Sequence, residues 1–254
     1  KCFYQINYDE KLKNALKYSF EFCGYIDNLN GIRDSINISM LGKCKFSKKQ
    51  TNFKNAYFPI TENKPVKNTY NLNKHLIITG PNAAGKTTLL KTTLFNIILS
   101  QQIGYGCYKS ASIVIFDNIH CYINIPDTSG RDSLFQAEAR RCKDILSLVE
   151  TNKNQRHFCV FDELYSGTNP YEAISSATAY LKYLNQFPNV CFVLTTHLQN
   201  YHMKTDKIDN KLTYKYLLTK GISNIKGGIK VLTDLEYPSE IIEDTQKTID
   251  KLII

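Results

Sequence analysis

The stretch from His75 to Leu90 restricts the fold of this chain more than any other part of its sequence. It reads HLIITGPNAAGKTTLL, and residues 80–87 within it fit the pattern G-x-x-x-x-G-K-[ST]. Residues 76–79 are apolar or β-branched and predict a short buried strand, and the apolar residues after Thr87 repeat at helical spacing. Strand, glycine loop and helix in this order are the context of a phosphate-binding loop. The alternative is a chance match on a strand–helix turn.

The chemistry of this loop suits a nucleoside triphosphate. Gly80 and Gly85 allow a tight bend in which backbone N–H groups turn inward around anionic oxygens, and the N-terminus of the following helix adds positive potential there. Lys86 can reach the β- and γ-phosphates, and the hydroxyl of Thr87 can bind Mg²⁺. The predicted nucleotide-binding residues of the loop are Gly80, Pro81, Asn82, Ala83, Ala84, Gly85, Lys86, Thr87 and Thr88.

A second motif, HFCVFDE at residues 157–163, is an apolar strand that ends in two carboxylates. This is the Walker B pattern, in which Asp162 would hold Mg²⁺ directly or through a water molecule. Glu163 follows at once, and a carboxylate beside the metal ligand can deprotonate or polarise the attacking water. The alternative is a surface Asp-Glu pair at the end of a strand.

Strand-like and helix-like segments alternate along the chain. Helical patterns cover residues 9–26, 86–101, 133–150 and 171–187, and strand patterns cover residues 76–79, 111–125, 157–161, 190–197 and 212–221. Residues 43–56 are rich in lysine, lack periodicity and predict an exposed connector, whereas residues 64–74 predict a strand or hairpin leading into the phosphate loop. The alternation predicts an α/β fold with a mostly parallel sheet flanked by helices.

The composition is that of a globular protein with an excess of positive charge. The 254 residues are 43% hydrophobic and 22% charged, with a net charge of +9. Because lysines and arginines are scattered along the sequence, the charge is only a weak indication of a polyanion such as DNA. The sequence shows no membrane-spanning run, no signal-peptide pattern and no C-x-x-C pair. We therefore expect an intracellular protein with reduced thiols, with disulfides or a zinc site as the alternative. The first residue is Lys1, which suggests a segment of a longer protein.

The chain resembles the ATPase domain of the MutS family of DNA mismatch-repair proteins, a branch of the ABC-type ATPases. The matching segments are LIITGPNAAGKTTLL (76–90), SLFQAE (133–138), FDELYSGTNP (161–170), TTHL (195–198) and GISNIKGGIKV (221–231). The resemblance covers about residues 56–245. It implies a P-loop NTPase fold of the ABC type over residues 56–254, preceded over residues 1–55 by a short helical connector that ends a lever-like region.

The resemblance also implies roles for individual residues. Lys86 and Thr87 match the family's phosphate lysine and magnesium hydroxyl, and Asp162 and Glu163 match its Walker B pair. Ser133 matches the signature serine, which in the family acts on the ATP of the opposite subunit.

Five further residues are assigned by the resemblance, and only the match of Tyr216 is loose. His197, which follows the strand of residues 190–196, matches the switch histidine that senses the γ-phosphate, with a purely structural histidine as the alternative. Gly167 and Thr168 fall in the loop that crosses toward a partner subunit. Asn68 resembles a segment beside the adenine. Tyr216 lies near the position of a ring that could stack on the base, and a core tyrosine is equally compatible.

Three departures from the family pattern indicate a divergent member. Residues 83–85 are Ala-Ala-Gly where the family commonly has Met-Gly-Gly. Residues 164–168 are Leu-Tyr-Ser-Gly-Thr where the family has Gly-Arg-Gly-Thr, so the arginine is missing. Asp132 is an extra residue in the signature if Arg131 is aligned with the family arginine.

The function implied by the resemblance is that of an ATP hydrolase that uses Mg²⁺ and dimerises, with a like or unlike subunit, around two ATPs to drive a DNA clamp. DNA would be bound through other domains of the full-length protein, and no membrane partner is expected. One alternative is an ABC-type ATPase of chromosome or recombination processing, similar to SMC proteins, although neither coiled-coil arms nor an LSGG-like signature is visible. Another is a nucleotide-dependent assembly module, which Glu163 disfavours because binding alone needs no catalytic carboxylate. A small-molecule kinase is disfavoured because no arginine-rich lid follows the phosphate loop.

Overall fold

The computed structural model describes residues 9–60, 65–125 and 133–196, the backbone of residues 201–208 and 211–220, and Ser239 and Glu243. The helices are α1 (Glu10–Asn37), α2 (Lys86–Ile103), α3 (Leu134–Thr151) and α4 (Pro170–Leu184). The strands are β1 (Gly42–Ser47), β2 (Thr51–Ala56), β3 (Asn68–Leu72), β4 (His75–Thr79), β5 (Tyr105–Gly106), β6 (Ser110–Val114), β7 (Asn118–Tyr122), β8 (His157–Asp162), β9 (Val190–Thr196), β10 (Tyr201–Ile208) and β11 (Lys211–Lys220). His197, Arg131, Asp132 and segment 221–231 lie outside the described residues, as does the side chain of Tyr216.

The larger sheet has the strand order β11-β10-β4-β9-β8-β7. Every neighbouring pair is parallel except β10 and β11, which are antiparallel, so the predicted mostly parallel sheet is confirmed. Because β4, β9 and β8 are neighbours and run in one direction, their carboxyl ends meet at one edge. In their register, Thr79 lies opposite Thr196, and Thr195 lies opposite Asp162. This register brings the phosphate loop and the Walker B carboxylates to the same edge.

Helices cover both faces of this sheet. Because alternate residues of a strand point to opposite faces, adjacent residues of one central strand pack against different helices. Val160 of β8 packs in one buried cluster with Leu90 of α2. Its neighbour Phe161 packs in a second cluster with Ile145 of α3 and Leu184 of α4. The predicted flanking of the sheet by helices is therefore confirmed.

A smaller sheet, with the order β3-β2-β6-β1-β5, was not foreseen from the sequence. The expectation of an exposed connector over residues 43–56 is wrong, because β1 and β2 both belong to this sheet. Buried Cys44 and Phe53 alternate with exposed Lys45 and Lys54. The lysines lie on the solvent side of the strands. The alternation of buried and exposed residues is therefore hard to see in a segment whose sequence is mostly polar.

The strand expected before the phosphate loop forms, but with a different partner. β3 pairs antiparallel with β2 in the smaller sheet, whereas β4 lies in the larger one, so the two make no hairpin. The predicted domain boundary between residues 55 and 56 falls inside β2. The division of the chain into residues 1–55 and 56–254 stays a prediction.

The first helix is longer than its sequence pattern indicates, since α1 continues the predicted helix of residues 9–26 to Asn37. Asp9 caps it by accepting hydrogen bonds from the backbone N–H groups of Lys11 (2.9 Å) and Leu12 (3.3 Å). None of its residues is buried. Among the residues that the structure describes, no helix is both long and apolar enough to cross a membrane.

Two buried histidines lie side by side in the larger sheet, His120 on β7 and His157 on β8. His157 Nε2 is 3.0 Å from the carbonyl oxygen of Asn152, which can only accept, so this nitrogen carries the proton. His157 Nδ1 is then the acceptor for His120 Nε2, 2.9 Å away. Burial, reinforced by His157 and by Arg141, lowers the pKa of His120 to about 4. His120 is therefore neutral near pH 7.

We expect acid to destabilise the fold through His120. An unfolded chain gives imidazole its ordinary pKa of about 6.5, so between a pH of about 6.5 and about 4 the unfolded state binds more protons than the native state. The contribution of His120 is thus complete above a pH of about 6.5, and the free energy of unfolding falls by roughly 3 kcal/mol as the pH reaches about 4. Urea unfolding across this range, for the wild type and for His120→Gln, measures the effect. An equal pH dependence in both proteins would contradict it.

Candidate functional site

The loop between β4 and α2 forms the wall of an open cavity at the carboxyl edge of the larger sheet. Gly85 has φ +90° and caps α2 in a left-handed conformation that glycine adopts without strain. Ala83, at φ +62°, is also left-handed. The cavity has a volume of about 320 Å³ and is lined by residues 81–88 and Glu163. Of the predicted loop residues, those from Pro81 to Thr88 therefore line one concave surface at a helix N-terminus, where backbone N–H groups lack helical partners, and Gly80 lies outside the lining.

The Lys86 side chain lies inside the loop and hydrogen-bonds to its backbone. Its Nζ donates to the carbonyl oxygens of Gly80 (2.9 Å) and Pro81 (3.2 Å), and it lies 3.5 Å from Glu163 Oε1. Only 5% of the side chain is exposed. Desolvation lowers the pKa of Lys86, and the neighbouring Glu163 and Asp162 partly oppose that shift. The result is a buried cation held by neutral carbonyl groups and by one carboxylate at the cavity wall.

Asp162 ends β8 beside the first turn of α2. Its Oδ1 accepts hydrogen bonds from the hydroxyl of Thr87 at 3.1 Å and from the hydroxyl of Thr195 at 2.5 Å. The register of β8 on β9 sets Thr195 directly opposite Asp162. A hydroxyl and a carboxylate oxygen this close fit Mg²⁺, which takes oxygen ligands and is commonly bound by one or two carboxylates plus substrate phosphates.

Glu163 leaves the strand in a left-handed conformation, with φ +52°. Its backbone N–H donates to both the carbonyl and the hydroxyl oxygen of Thr195, each at 3.2 Å. A residue of this type rarely adopts positive φ, and such positions concentrate at functional sites. The turn directs the carboxylate, whose side chain is 41% exposed, to the cavity and to Lys86. The Glu163 carboxylate thus lines the cavity and can contact a ligand bound there.

Comparison with known proteins agrees with the geometry of this edge. A family model described as MutS domain V matches residues 76–253, which is more than half of the chain. The chain belongs to the MutS family. The segment after Glu163 and the helix α3 can therefore be considered as parts of a MutS domain V.

Three relatives illustrate the degree of similarity. The protein named DNA mismatch repair protein MutS from Bacteroides fragilis is 30% identical over 193 residues, covering 70% of this chain and 22% of that protein. The protein of the same name from Parabacteroides distasonis is 31% identical over 196 residues, with the same two shares. Endonuclease MutS2 from Agathobacter rectalis is 29% identical over 189 residues, covering 70% of this chain and 23% of that protein. The chain thus spans less than a quarter of the length of these relatives.

Glu138, on α3 of this MutS-family domain, holds the loop that follows the Walker B strand, and it was missed from the sequence. Its carboxylate is 2% exposed and accepts hydrogen bonds from Ser166 N–H (3.1 Å), Ser166 Oγ (2.9 Å) and Gly167 N–H (3.1 Å). A signal was present, because Glu138 shares the buried face of α3 with Cys142 and Ile145 at helical spacing. A charged residue on the buried, apolar face of a helix indicates a hydrogen-bond or ion-pair partner, because burying an unpaired charge is costly.

We expect Glu138→Gln to destabilise the domain by about 2 kcal/mol. The amide would turn a donor toward backbone N–H groups that need an acceptor, and hydrogen bonds to charged groups contribute about 1.5–3 kcal/mol. Urea unfolding measures the change, and Glu150→Gln is the matched control, because Glu150 is an exposed residue of the same helix. A change within about 0.5 kcal/mol, as for surface positions, would show that the carboxylate does not hold the loop.

Ser133 is the N-cap of α3, which begins at Leu134, one residue after the predicted start. Its Oγ accepts from Gln136 N–H at 3.3 Å, and its own N–H donates to Gln136 Oε1 at 2.9 Å, which completes a capping box. The loop after the Walker B strand packs on this helix end, because a Cβ at Gly167 would lie 2.7 Å from Leu134 Cγ and 2.8 Å from Phe135 N. The family signature and the Walker B loop are therefore in direct contact.

The remaining predicted residues are placed only in part. Asn68 is buried in β3 of the smaller sheet, opposite Ala56. Tyr216 lies on β11. His197 is not described, but its neighbour Thr196 ends β9 beside Thr79, from which the phosphate loop begins. The roles of Asn68, Tyr216 and His197 toward a nucleotide stay predictions.

Proposed function

We propose that the chain binds ATP and hydrolyses it with Mg²⁺, as the ABC-type ATPase domain of a MutS-like DNA repair protein. The observation that carries this proposal is that Lys86, Thr87 and Glu163 line one cavity at the edge of a parallel sheet, where the hydroxyl of Thr87 donates to Asp162. The release of phosphate from ATP in the presence of Mg²⁺ tests it.

In this proposal, Lys86 and the first turn of α2 bind the β- and γ-phosphates. Phosphate oxygens would replace the carbonyl oxygens of Gly80 and Pro81 as partners of Nζ, because hydrogen bonds between ionised groups are shorter and stronger. The burial of Lys86 favours this exchange, since an anion offsets the desolvation of the ammonium group. The cavity residues on either side would surround the phosphates with N–H donors.

Thr87 and Asp162 would hold Mg²⁺ between them and the phosphates. When bound, the ion neutralises charge that develops on the phosphoryl oxygens. Thr195 would keep the Asp162 carboxylate in place, because its hydroxyl donates to the same oxygen that faces Thr87. The Thr195 contact is thus a positioning contact in the proposed site.

Glu163 would act as the general base. Its carboxylate lines the cavity beside Asp162, where it can accept a proton from a water molecule that attacks the γ-phosphate. Its ion pair with Lys86 does not conflict with this role, because phosphates would draw the ammonium group away. Positioning and charge neutralisation would provide the rest of the rate enhancement.

Two such domains would enclose two ATPs, with Ser133 of each facing the nucleotide of the other. The cavity is open on one side, and Ser133 presents a hydroxyl at the exposed N-terminus of α3, where the helix favours an anion. We expect ATP to trap a dimer of Glu163→Gln, and the double variant Glu163→Gln/Ser133→Arg to bind ATP but stay monomeric. Light scattering measures the difference.

A third variant separates an interface effect from a loss of helix capping. Gln136→Ala in the Glu163→Gln background removes one half of the capping box without adding a bulky side chain. It should still dimerise. If the Ser133→Arg double variant dimerised as well as Glu163→Gln alone, Ser133 would lie outside the interface.

The same proposal includes a role for the ATPase domain in DNA processing by a longer protein. Two of the three relatives above are named mismatch repair proteins and one is named an endonuclease, so DNA processing is their common element. We infer that other domains of a longer protein bind DNA and that the ATPase dimer drives their clamp. Binding of ATP without hydrolysis by the wild-type chain would instead favour an assembly module.

A further inference from the structure

A second polar cavity lies at the opposite edge of the larger sheet from the phosphate loop. Its lining includes Lys74, which precedes β4, Arg156, which precedes β8, and Asn189, which precedes β9. The turn between β1 and β2 contributes Lys48 and Lys49 from the smaller sheet. The volume is about 190 Å³. Because the three strands run in one direction, this amino edge is separated from the carboxyl edge by the length of the sheet.

The lining of this cavity carries four cations and no carboxylate: Lys48, Lys49, Lys74 and Arg156. All four side chains belong to exposed residues, and none of them takes part in an ion pair among the residues that the structure describes. Lys74 Nζ donates to Oδ1 (2.8 Å) and to the carbonyl oxygen (3.3 Å) of Asn185, which are neutral acceptors and leave its charge uncompensated. The cavity therefore concentrates positive charge.

A carboxylate outside the lining, that of Asp117, is already engaged. Its Oδ2 accepts from the backbone N–H of Arg156 at 2.7 Å, a contact that fixes the chain before β8. The floor of the cavity is made by buried strand residues such as Thr51 and Val190. The hydroxyl of Thr51 in turn accepts from Val114 N–H at 3.0 Å. The cations thus surround a preformed concave surface.

We propose that this cavity is a second anion site, distinct from the ATP site, that binds phosphate groups of a nucleic-acid backbone. Arginine and lysine are the side chains that most often contact phosphate groups, and the side-chain amides of Gln50 and Asn73 add neutral donors of the kind that accompany them. A duplex presents closely spaced negative charges to such a surface. Since these contacts read no base edges, binding is independent of sequence.

Fluorescence anisotropy of a short labelled DNA duplex with the whole chain, without nucleotide, tests this site. The wild type should bind at low salt, and the logarithm of its affinity should fall linearly with the logarithm of salt concentration. The double variant Lys74→Gln/Arg156→Gln should bind more weakly. Its salt-dependence slope should be smaller in magnitude by about 2, which is about 1 for each phosphate contact removed. Thermal unfolding of the variant verifies that it is folded.

The matched control removes the same charge elsewhere. Lys54→Gln/Lys109→Gln alters two exposed lysines outside the cavity and should leave the slope unchanged. Equal losses in both double variants would overturn the proposal, because the effect would then come from net charge. It would also be overturned if the wild type bound no DNA at low salt, or if polyglutamate displaced the duplex at equal charge concentration. Because nucleotide is omitted, none of these outcomes bears on ATP hydrolysis.

Discussion

Lys86→Ala should abolish ATP binding. The ammonium group is the buried cation of the cavity, and in the apo domain it already donates two hydrogen bonds that phosphate oxygens can take over. Hydrogen bonds to charged groups contribute about 1.5–3 kcal/mol each, so the loss of two raises Kd by a factor of about 100 or more. Calorimetric titration with Mg²⁺ and ATP measures this change.

The matched control for this variant is Lys91→Ala, which removes a lysine from the same helix outside the cavity. It should bind ATP as the wild type does. Lys86→Ala is also expected to fold, because it removes a desolvated charge from a site where its partners are mainly carbonyl oxygens. Wild-type affinity in Lys86→Ala would refute the assignment of the loop.

Glu163→Gln should retain ATP binding and lose hydrolysis. The side chain keeps its size, and the phosphate loop, Thr87 and Asp162 are untouched. Loss of the proton acceptor is expected to reduce turnover by about 10²–10⁴-fold, the range for general-base catalysis. Binding should be as tight as in the wild type or tighter, because a negative charge beside the phosphates is removed.

Single-turnover hydrolysis separates the two effects, with Glu150→Gln as a control that makes the same chemical change on an exposed part of α3. The control should turn over at the wild-type rate. If Glu163→Gln lost less than about fivefold, another residue would have to be the base, since a general base accounts for at least about 100-fold.

The parts of the site that could be predicted are those determined by neighbouring residues in the chain. The loop at residues 80–87 and the Walker B strand are each contiguous, so strand, turn and helix follow from local pattern. Their meeting at one edge follows from the direction of parallel strands. Which side chains contact each other at this edge, such as the Thr195 hydroxyl and the Asp162 carboxylate, depends on the register of β9 against β8. No local sequence pattern determines that register.

The parts that were missed depend on contacts between distant segments. β1 and β2 were hidden because their exposed positions are lysines, and their strand conformation is stabilised by pairing with β6, which lies far along the chain. Glu138 and Gly167 are neighbours only because α3 packs on the Walker B loop. The basic cavity combines lysines and an arginine from three separate segments, which in the sequence look scattered.

The most direct test of the central claim is the rate of phosphate release from ATP by the wild-type chain, with Mg²⁺ and with a chelator that removes it. The hydroxyl of Thr87 donates to Asp162 Oδ1, and Glu163 lines the same cavity as Thr87, so hydrolysis should require the metal that these oxygens fit. We predict release with Mg²⁺, none with the chelator, and none with Lys86→Ala. Release that was unchanged by the chelator, or that persisted in Lys86→Ala, would contradict the assignment of this edge as an ATP hydrolysis site.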